Sequence, residues 1–271
     1  MIYQTFEPVN QLIAFIKCYW TLEGSKSDVA EKQTIVPDGC MEMIFHLGDP
    51  YRQYIENGNT IIQPKSFVIG QLTRPLEIEP TGDTGIFSVR FHPGGFLPFA
   101  RIPIKEMKNT AISLGKLFGN NGVELEQQVL NAHSTPGRIK LIETFLLLRL
   151  TDADTIDRIV KSTVETILTA NGQLSVEEIS RQSNINRRRL ERKFSTAIGL
   201  SPKQLSKTIR LQATLKMLLN KEFTSLTGLA YDNEYYDQSH FIKDFKELTG
   251  FTPKEFYGNN LIMSSLFYGS D

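Results

Sequence analysis

The sequence predicts a two-domain α+β protein, with an N-terminal domain like a β-barrel or β-sandwich that also carries helices, and a C-terminal all-α domain with two helix-turn-helix units. Three observations predict this fold class. Short strand-like runs occupy the chain to about residue 92, helical periodicity follows them, and one helical pattern occurs twice after residue 170. We place the two domains at 1–152 and 153–258, with a C-terminal tail at 259–271.

The predicted strands are short and are separated by Gly, Pro and Asp. Asn57-Gly58 is a strong hairpin signal, because both positions accept a positive φ. The strands that flank it are predicted at 53–56 and 60–63, and further strands are predicted at 40–47, 66–69, 76–78 and 85–91. Many short strands at this spacing are typical of a β-barrel or a β-sandwich.

Helices are predicted next, at 122–132, 136–150 and 155–170. The helix at 136–150 is amphipathic, and its apolar face either packs on the N-terminal domain or forms the seam of a homodimer. A short polar stretch at 151–154 separates it from the following helix, and we place the domain boundary there.

Composition narrows the class of protein. Hydrophobic residues make up 40% of the 271 residues, which is enough for a sizeable buried core. The N-terminus lacks a secretory signal and no apolar run approaches the roughly 18 residues of a membrane span, so we expect a cytoplasmic protein without a membrane partner. No G-x-S-x-G, P-loop or G-x-G-x-x-G motif occurs, and the N-terminal histidines lack metal-type spacing. We therefore expect neither catalysis nor a bound cofactor or metal.

The net charge is zero overall but uneven along the chain. Residues 181–221 hold eleven bases against one acid, whereas residues 222–271 hold three lysines against eight acids. A cationic segment in a neutral protein is typical of a surface that binds a polyanion. A solvated basic helix face would show the same charge pattern, so charge alone leaves both interpretations open.

An internal repeat overlaps the cationic segment. Five positions recur 51 residues later, where Leu190, Phe194, Gly199, Ser201 and Pro202 correspond to Phe241, Phe245, Gly250, Thr252 and Pro253. Upstream, Ile179-Ser180 and Leu229-Ala230 are 50 residues apart. Two copies of one supersecondary unit, one of them with an extra residue in its turn, explain both spacings.

The first copy has the local signals of a helix-turn-helix unit. Ser175 and Glu178 have the spacing of a capping box at the start of a helix. Asn184 tolerates the left-handed conformation of a tight turn, and Asn186 can cap a second helix that begins at Arg187.

The second helix of this copy has an apolar face and a basic face. Leu190 and Phe194 lie one turn apart and are predicted to face the core, so Arg188, Glu191 and Arg192 share an outer face. Arginine on such a face can enter the major groove and read guanine edges.

A long helix, predicted at 202–220, joins the two copies. Its length, about 27 Å at 1.5 Å per residue, is close to the separation of successive major grooves on one face of DNA, about 34 Å. Two reading helices joined in this way could enter consecutive grooves.

Residues 170–257 resemble the DNA-binding domain of the AraC/XylS family of transcription regulators. The matching segments are RLERKF at 189–194, GLSP at 199–202, LAYD at 229–232, YYDQSHF at 235–241 and FKELTGFTP at 245–253. The resemblance implies seven helices, with two reading helices in adjacent major grooves. By position, the implied DNA-binding residues are Arg187, Arg188, Glu191 and Arg192 in the first reading helix, and Gln238, Ser239, His240 and Lys243 in the second.

This chain departs from the family pattern at two positions of the second unit. Glu234 stands where family members usually have Gly, and Gly228 stands where they usually have a helix former. Glu accepts a positive φ poorly, and Gly in a helix interior costs about 0.5–1 kcal/mol relative to Ala. Together with the excess of acid in residues 222–271, these departures predict that the first unit supplies most of the DNA affinity.

The N-terminal domain is expected to sense an effector or to dimerise, as the resemblance implies. The stretch 87–96 resembles an N-terminal domain of unassigned role that some AraC-type proteins carry. By residue type alone, we take Trp20, Glu42, His46 and Arg90 as candidate residues of an effector pocket, with Tyr54 as a further candidate.

The leading interpretation is a sequence-specific DNA-binding transcription regulator. Its partner is double-stranded DNA, and RNA polymerase, a small-molecule effector and a second copy of the chain are further candidates. The alternative is a small-molecule-binding or weakly enzymatic β-barrel protein whose C-terminal helices serve as a protein-interaction module. The four arginines at 187–189 and 192 favour the regulator, because an interaction module does not require them.

Overall fold

A computed structural model describes residues 1–25, 32–150, 156–220, 222–223, 225–235 and 237–258. The predicted domain boundary at 151–154 and the C-terminal tail at 259–271 lie outside the described residues.

The N-terminal domain contains two antiparallel sheets. Its described strands are β1 (Ile2–Phe6), β2 (Ile16–Gly24), β3 (Gln33–Ile35), β4 (Met41–His46), β5 (Tyr51–Tyr54), β6 (Thr60–Ile62), β7 (Ser66–Ile69), β8 (Leu76–Pro80), β9 (Thr84–Phe91) and β10 (Ala111–Ser113). One sheet has the order β1-β2-β9-β4-β7-β10, and the other has the order β3-β8-β5-β6. Across the described strands neither sheet closes on itself, so the domain is an open sandwich and the barrel alternative is wrong.

The strands that the sequence predicted correspond to β4–β9. Asn57 and Gly58 lie in the turn of the β5–β6 hairpin, with φ values of 64° and 75°. The central strand β2 was not predicted, because most of its side chains are buried and the run therefore lacks the alternation of a strand with one exposed face.

Side chains on the six-stranded sheet alternate between its two faces. In β4, Met43 and Phe45 are part of the large apolar core, whereas Glu42, Ile44 and His46 point to the space between the two sheets. A second, smaller core there includes Trp20 of β2 and side chains from the four-stranded sheet.

Three helices cover the outer face of the six-stranded sheet: α1 (Leu114–Phe118), α2 (Asn120–Asn131) and α3 (Thr135–Leu147). Ile142 and Leu146 of α3 are fully buried in the core of the N-terminal domain. Of the two alternatives for this amphipathic helix, packing within the chain is the one observed.

The C-terminal domain has seven described helices, as the resemblance implied: α4 (Arg158–Thr169), α5 (Val176–Gln182), α6 (Arg187–Ile198), α7 (Pro202–Leu219), α8 (Leu226–Asp232), α9 (Gln238–Thr249) and α10 (Pro253–Gly258). Helix α7 contributes to two cores. Its first half packs with α4–α6 through Leu205 and Ile209, and its second half packs with α8–α10 through Leu211, Leu215 and Leu218. No helix in the described part of the chain is both long and apolar enough to cross a membrane.

The first helix-turn-helix unit contacts the N-terminal domain beyond the end of β9. A Cβ atom on Gly94 would lie 2.6 Å from Ile198 Cδ1, and one on Gly199 would lie 3.0 Å from Ile104 Cγ2. These distances place the end of α6 directly against the segment 94–104.

A second contact joins α7 to the segment 36–40, which connects β3 to β4. The side-chain amide of Gln212 donates a hydrogen bond to the carbonyl of Pro37. Gly39 has a φ of 81°, and a Cβ atom there would lie 2.7 Å from Leu205 Cδ1. Val36 is 2% exposed and belongs to the same core as α8, α9 and the second half of α7.

Candidate DNA interface and effector cavity

The first unit folds as its local signals predict. The Ser175 hydroxyl accepts from the Glu178 amide at 3.2 Å, and the Glu178 carboxylate accepts from the Ser175 amide at 2.8 Å, which completes the capping box. Asn184 adopts a φ of 46° in the turn, and the side chain of Asn186 accepts from the amide of Arg188 at the start of α6.

Helix α6 presents a basic face to solvent. Leu190 and Phe194 are fully buried, as predicted, and Arg188 and Arg192 are exposed on the opposite side. Among the described residues, these two arginines form no ion pair, so their guanidinium groups remain available to a polyanion.

Arg187 differs from Arg188 and Arg192 because its guanidinium forms ion pairs with other residues of the protein. Its guanidinium lies 3.3 Å from a Glu177 carboxylate oxygen and 3.1 Å from a Glu191 oxygen, although 54% of its side chain remains exposed. The pairing also orients Glu191, the acidic member of the predicted reading face.

The second unit repeats the arrangement with different caps. Ser225 accepts from the Gly228 amide at 2.9 Å, and the N-cap residue Asp237 accepts from the His240 amide at 2.7 Å. Glu234 has a φ of 53°, so the turn adopts the left-handed conformation despite the departure from Gly. The four predicted reading residues of α9 are all exposed: Gln238, Ser239, His240 and Lys243.

Two basic residues of α7 hold the second unit in place. The Lys207 ammonium lies 2.8 Å from an Asp244 oxygen and 2.9 Å from a Glu247 oxygen on α9. Arg210 donates to the Gly172 carbonyl at 2.8 Å and to the Glu234 carbonyl at 3.5 Å. These cations of the segment 181–221 therefore stabilise the domain, and the charge count overstates the basic surface that is left for a polyanion.

The N-terminal domain contains a cavity of about 80 Å³ between its two sheets. Four of the side chains chosen by residue type line it: Trp20, Glu42, His46 and Arg90. Tyr54 does not line it, because its hydroxyl points elsewhere and donates to Glu79. Strand register explains the grouping, since Glu42 pairs with Arg90 across β4 and β9, and Trp20 pairs with Ser88 across β2 and β9.

One end of the cavity is charged. The Arg90 guanidinium forms an ion pair with Asp38, and its Nε lies 3.6 Å from a Glu42 oxygen. Burial raises the pKa of Glu42 and outweighs the opposing effect of Arg90. Burial would also raise the pKa of Asp38, but the nearby Arg90 charge and a hydrogen bond from the Cys40 amide hold it below its usual value.

The other end of the cavity is polar but uncharged. Burial lowers the pKa of His46 to about 4, so the imidazole is neutral near neutral pH. Its Nε2 lies 3.1 Å from Gln63 Oε1, and the Gln63 amide donates to Gln53. Within the described part of the chain, His46 Nδ1 is buried without a hydrogen-bond partner.

Two segments match family models. Residues 179–258 match a family described as a helix-turn-helix domain, and residues 4–113 match a domain family of unknown function, DUF6597. The helix-turn-helix match begins within α5 and covers the rest of the first unit and the whole of the second.

The C-terminal part of the chain, residues 179–258, is a helix-turn-helix domain.

Several solved structures are similar to this chain. ToxT from Vibrio cholerae is 13% identical, with 89% of this chain and 98% of that chain covered and a TM-score of 0.46. AraT from Geobacillus stearothermophilus, a response regulator represented by its C-terminal domain, is 23% identical over 40% of this chain and 90% of that one, with a TM-score of 0.37. CdpR from Pseudomonas aeruginosa, a transcriptional regulator, is 14% identical over 66% and 46%, with a TM-score of 0.34. No curated protein matches the sequence.

Sequence reasoning missed most of the residues that line the cavity, among them Val36, Asp38 and Cys40. A usable signal was present, because Pro37-Asp38-Gly39 is a strong turn sequence that brings the chain back sharply between two strands. Nothing in a local pattern indicates that this turn contacts α7, which is more than 160 residues away in the chain.

Proposed function

We propose that this chain is a transcription regulator that recognises a specific DNA sequence by placing α6 and α9 in two adjacent major grooves. Arg188 and Arg192 are suited to bidentate contacts with guanine, and Gln238 is suited to adenine. The exposure of all three side chains supports the proposal. Helix α7, about 27 Å long, joins the two units at a spacing that suits consecutive grooves.

We further propose that a small molecule in the cavity controls the DNA-binding domain through the segment 36–40. The observation that carries this proposal is the position of Val36. Its side chain lines the cavity and also belongs to the apolar core of the second helix-turn-helix unit. A ligand that moves Val36 would therefore disturb the packing beneath α9.

The contacts of successive residues in the segment 36–40 also support control of the DNA-binding domain through this segment. Asp38 and Cys40 line the cavity, whereas the carbonyl of Pro37 and the backbone of Gly39 contact α7. The segment is therefore in contact with the cavity on one side and with α7 on the other. Since packed interfaces shift between discrete arrangements, a small displacement here can be passed on to α7.

The first unit has an additional support. Besides the contact of Gly39 with Leu205, it contacts the segment 94–104, and no residue of that segment lines the cavity. Ligand binding should therefore move the second unit relative to the first. DNA that carries both half-sites should respond to the ligand more strongly than DNA that carries the first half-site alone.

The test begins by selecting genomic DNA fragments that the full chain binds, which defines the two half-sites. Fluorescence anisotropy then compares the full chain with Val36→Ala and Ile69→Ala, both of which shorten an apolar side chain that lines the cavity. Only Val36 is also in the core of the second unit. We expect Val36→Ala to change the Kd for two-site DNA by about fivefold or more, an ordinary size for coupling between sites.

The results distinguish the proposal of sequence-specific DNA recognition from the proposal of control through the segment 36–40. Ile69→Ala should leave two-site binding nearly unchanged, and Val36→Ala should have little effect on DNA whose second half-site is scrambled. Equal effects of the two variants would rule out control through the segment 36–40. If the full chain enriched no DNA fragment over the starting pool, sequence-specific recognition itself would be wrong.

A further inference from the structure

The cavity between the sheets has one more carboxyl than cationic groups. Asp38 and Glu42 line it, and Arg90 is the one cationic side chain among its described lining residues. Lys17 does not line the cavity but a neighbouring cleft between the sandwich and α7, which shares Asp38, Cys40 and Arg90 with it.

Arg90 is already occupied by carboxylates of the protein. It forms the ion pair with Asp38, and Glu42 lies on its other side at 3.6 Å from Nε. An anionic ligand that approached Arg90 would face both carboxylates at close range. A cationic ligand would meet a favourable arrangement instead, because Glu42 shares the Arg90 guanidinium with Asp38. An ammonium group beside Glu42 would also oppose the effect of burial on its pKa and favour the ionised carboxylate.

The far end of the cavity also requires a hydrogen-bond donor. Gln63 Oε1 faces His46 Nε2, which makes Nε2 the protonated nitrogen and leaves Nδ1 as a bare acceptor. Nδ1 is buried without a partner in the described structure, and the side chain lines the cavity. A buried acceptor of this kind is costly unless a donor fills it.

The middle of the cavity is apolar. Trp20 and Phe67 line it together with aliphatic side chains from both sheets. Glu42 and His46 are four residues apart on the same face of β4, so their Cα atoms are separated by about 13 Å. A ligand with an apolar ring and a polar group at each end has a length and shape that suit this cavity.

We propose that the cavity binds an organic ammonium compound, with its ammonium group against Glu42, an apolar ring in the middle and a hydroxyl or N–H donor against His46 Nδ1. This ligand class rests on the proposed function only in treating the cavity ligand as the effector. The charge and hydrogen-bond requirements follow from the cavity itself.

Isothermal titration calorimetry on the full chain without DNA tests the ligand class. The probes are 2-(4-hydroxyphenyl)ethylammonium and 3-(4-hydroxyphenyl)propanoate, which share the ring and hydroxyl and differ in the sign of the charge. We expect the ammonium probe to bind at least about tenfold more tightly, the usual size of one charge-assisted hydrogen bond.

Two variants test whether the preference for the ammonium probe depends on Glu42. Glu42→Gln should weaken the ammonium probe by about tenfold and remove the preference for it. Glu79→Gln is the matched control, because Glu79 pairs with Arg52 and Tyr54 on the other sheet and does not line the cavity. Thermal unfolding of both variants checks that they are folded, and the two-probe comparison on the unaltered chain needs no variant.

Each contrary result has a distinct meaning. Tighter binding of the propanoate, no binding of the ammonium probe, or equal effects of Glu42→Gln and Glu79→Gln would overturn the ligand class. If the propanoate bound in the cavity and changed DNA affinity, the ligand class would be wrong while control by the cavity remained supported.

Discussion

Asn184 and Glu234 occupy equivalent turns in the two units, and both have a positive φ, 46° and 53°. Asn enters the left-handed region with little cost, because its short polar side chain forms local hydrogen bonds there. Glu lacks that compensation, and the left-handed conformation costs it about 1–2 kcal/mol. The second turn is therefore the more strained of the two.

Replacing Glu234 by Gly should stabilise the protein. We expect the free energy of unfolding to rise by about 0.5–1 kcal/mol, since relief of the left-handed strain exceeds the added chain entropy of Gly. Urea denaturation monitored by circular dichroism measures the change. Asn184→Gly is the control and should have a smaller effect, and a loss of stability in Glu234→Gly would contradict the argument.

His46 makes stability depend on pH. Its pKa is about 4 in the folded protein against 6.5 in the unfolded chain, so the unfolded state binds the proton first as the pH falls. Stability should therefore decrease from about pH 6.5 towards pH 4, by up to about 3 kcal/mol from this group. Burial lowers the pKa of His92 as well, so His46 accounts for only part of the decrease.

His46→Gln should reduce this acid-induced loss of stability. Urea denaturation at several pH values between neutral and 4.5 measures it, and the variant should show a shallower decrease than the unaltered chain. His133→Gln is the control, because His133 is exposed at the end of α2. An identical pH dependence in His46→Gln would show that His46 is not the buried neutral group that the structure describes.

At the scale of elements, the two units differ most at the start of their first helices. Helix α5 begins with a complete capping box between Ser175 and Glu178. Helix α8 has the hydroxyl half alone, because Ser225 accepts from the amide of Gly228 and glycine has no carboxylate to return the bond. The second unit therefore has the weaker helix start.

Gly228→Glu should complete the capping box of α8. We expect a gain of about 1 kcal/mol in the free energy of unfolding, mostly from the higher helix propensity of Glu over Gly. The reverse change in the first unit, Glu178→Gly, should destabilise by a similar amount. Thermal unfolding compares Gly228→Glu with Glu178→Gly. If Gly228→Glu stabilised the protein no more than a Thr227→Glu control, the proposed capping box would be wrong.

Across the described molecule, the distribution of unpaired cations bears on the proposed contact with DNA. Lys207 is paired with acids of α9, Lys193 is paired with Asp157, and Arg187 is paired with Glu177 and Glu191. The exposed arginines of α6 remain, whereas α9 offers Lys243 and Lys246 beside the acidic residues Asp244 and Glu247. This asymmetry supports the expectation that the first unit supplies most of the affinity.

Alanine at Arg192 should therefore weaken binding of selected DNA more than alanine at Lys243. Loss of a guanine contact at Arg192 should reduce the affinity by about tenfold or more. Lys161→Ala, which removes an exposed cation from α4, is the control for general charge loss. Affinity should fall steeply with salt, and the slope should change little in Arg192→Ala, because a guanine contact neutralises no phosphate. A larger effect at Lys243 would reverse the ranking of the two units.

Local sequence patterns were sufficient to predict much of the fold. The repeat, the capping residues and the glycines at helix ends predicted α5–α9, because these signals act over a few residues. Strand β2 was missed because burial on both faces removes alternation. The choice between barrel and sandwich was open for a related reason: whether edge strands meet depends on pairing between distant segments.

The sequence by itself determined that the C-terminal part repeats one helix-turn-helix unit, that its first reading helix carries arginines on the face opposite Leu190 and Phe194, and that strands precede it. Helical and strand periods are local properties, so they can be read directly from the order of residues. Only the tertiary structure decided which cations remain free, that Trp20, Glu42, His46 and Arg90 line one cavity, and that Val36 joins this cavity to the core of the second unit. Those facts depend on contacts between segments far apart in the chain, which burial and packing select and local sequence does not encode.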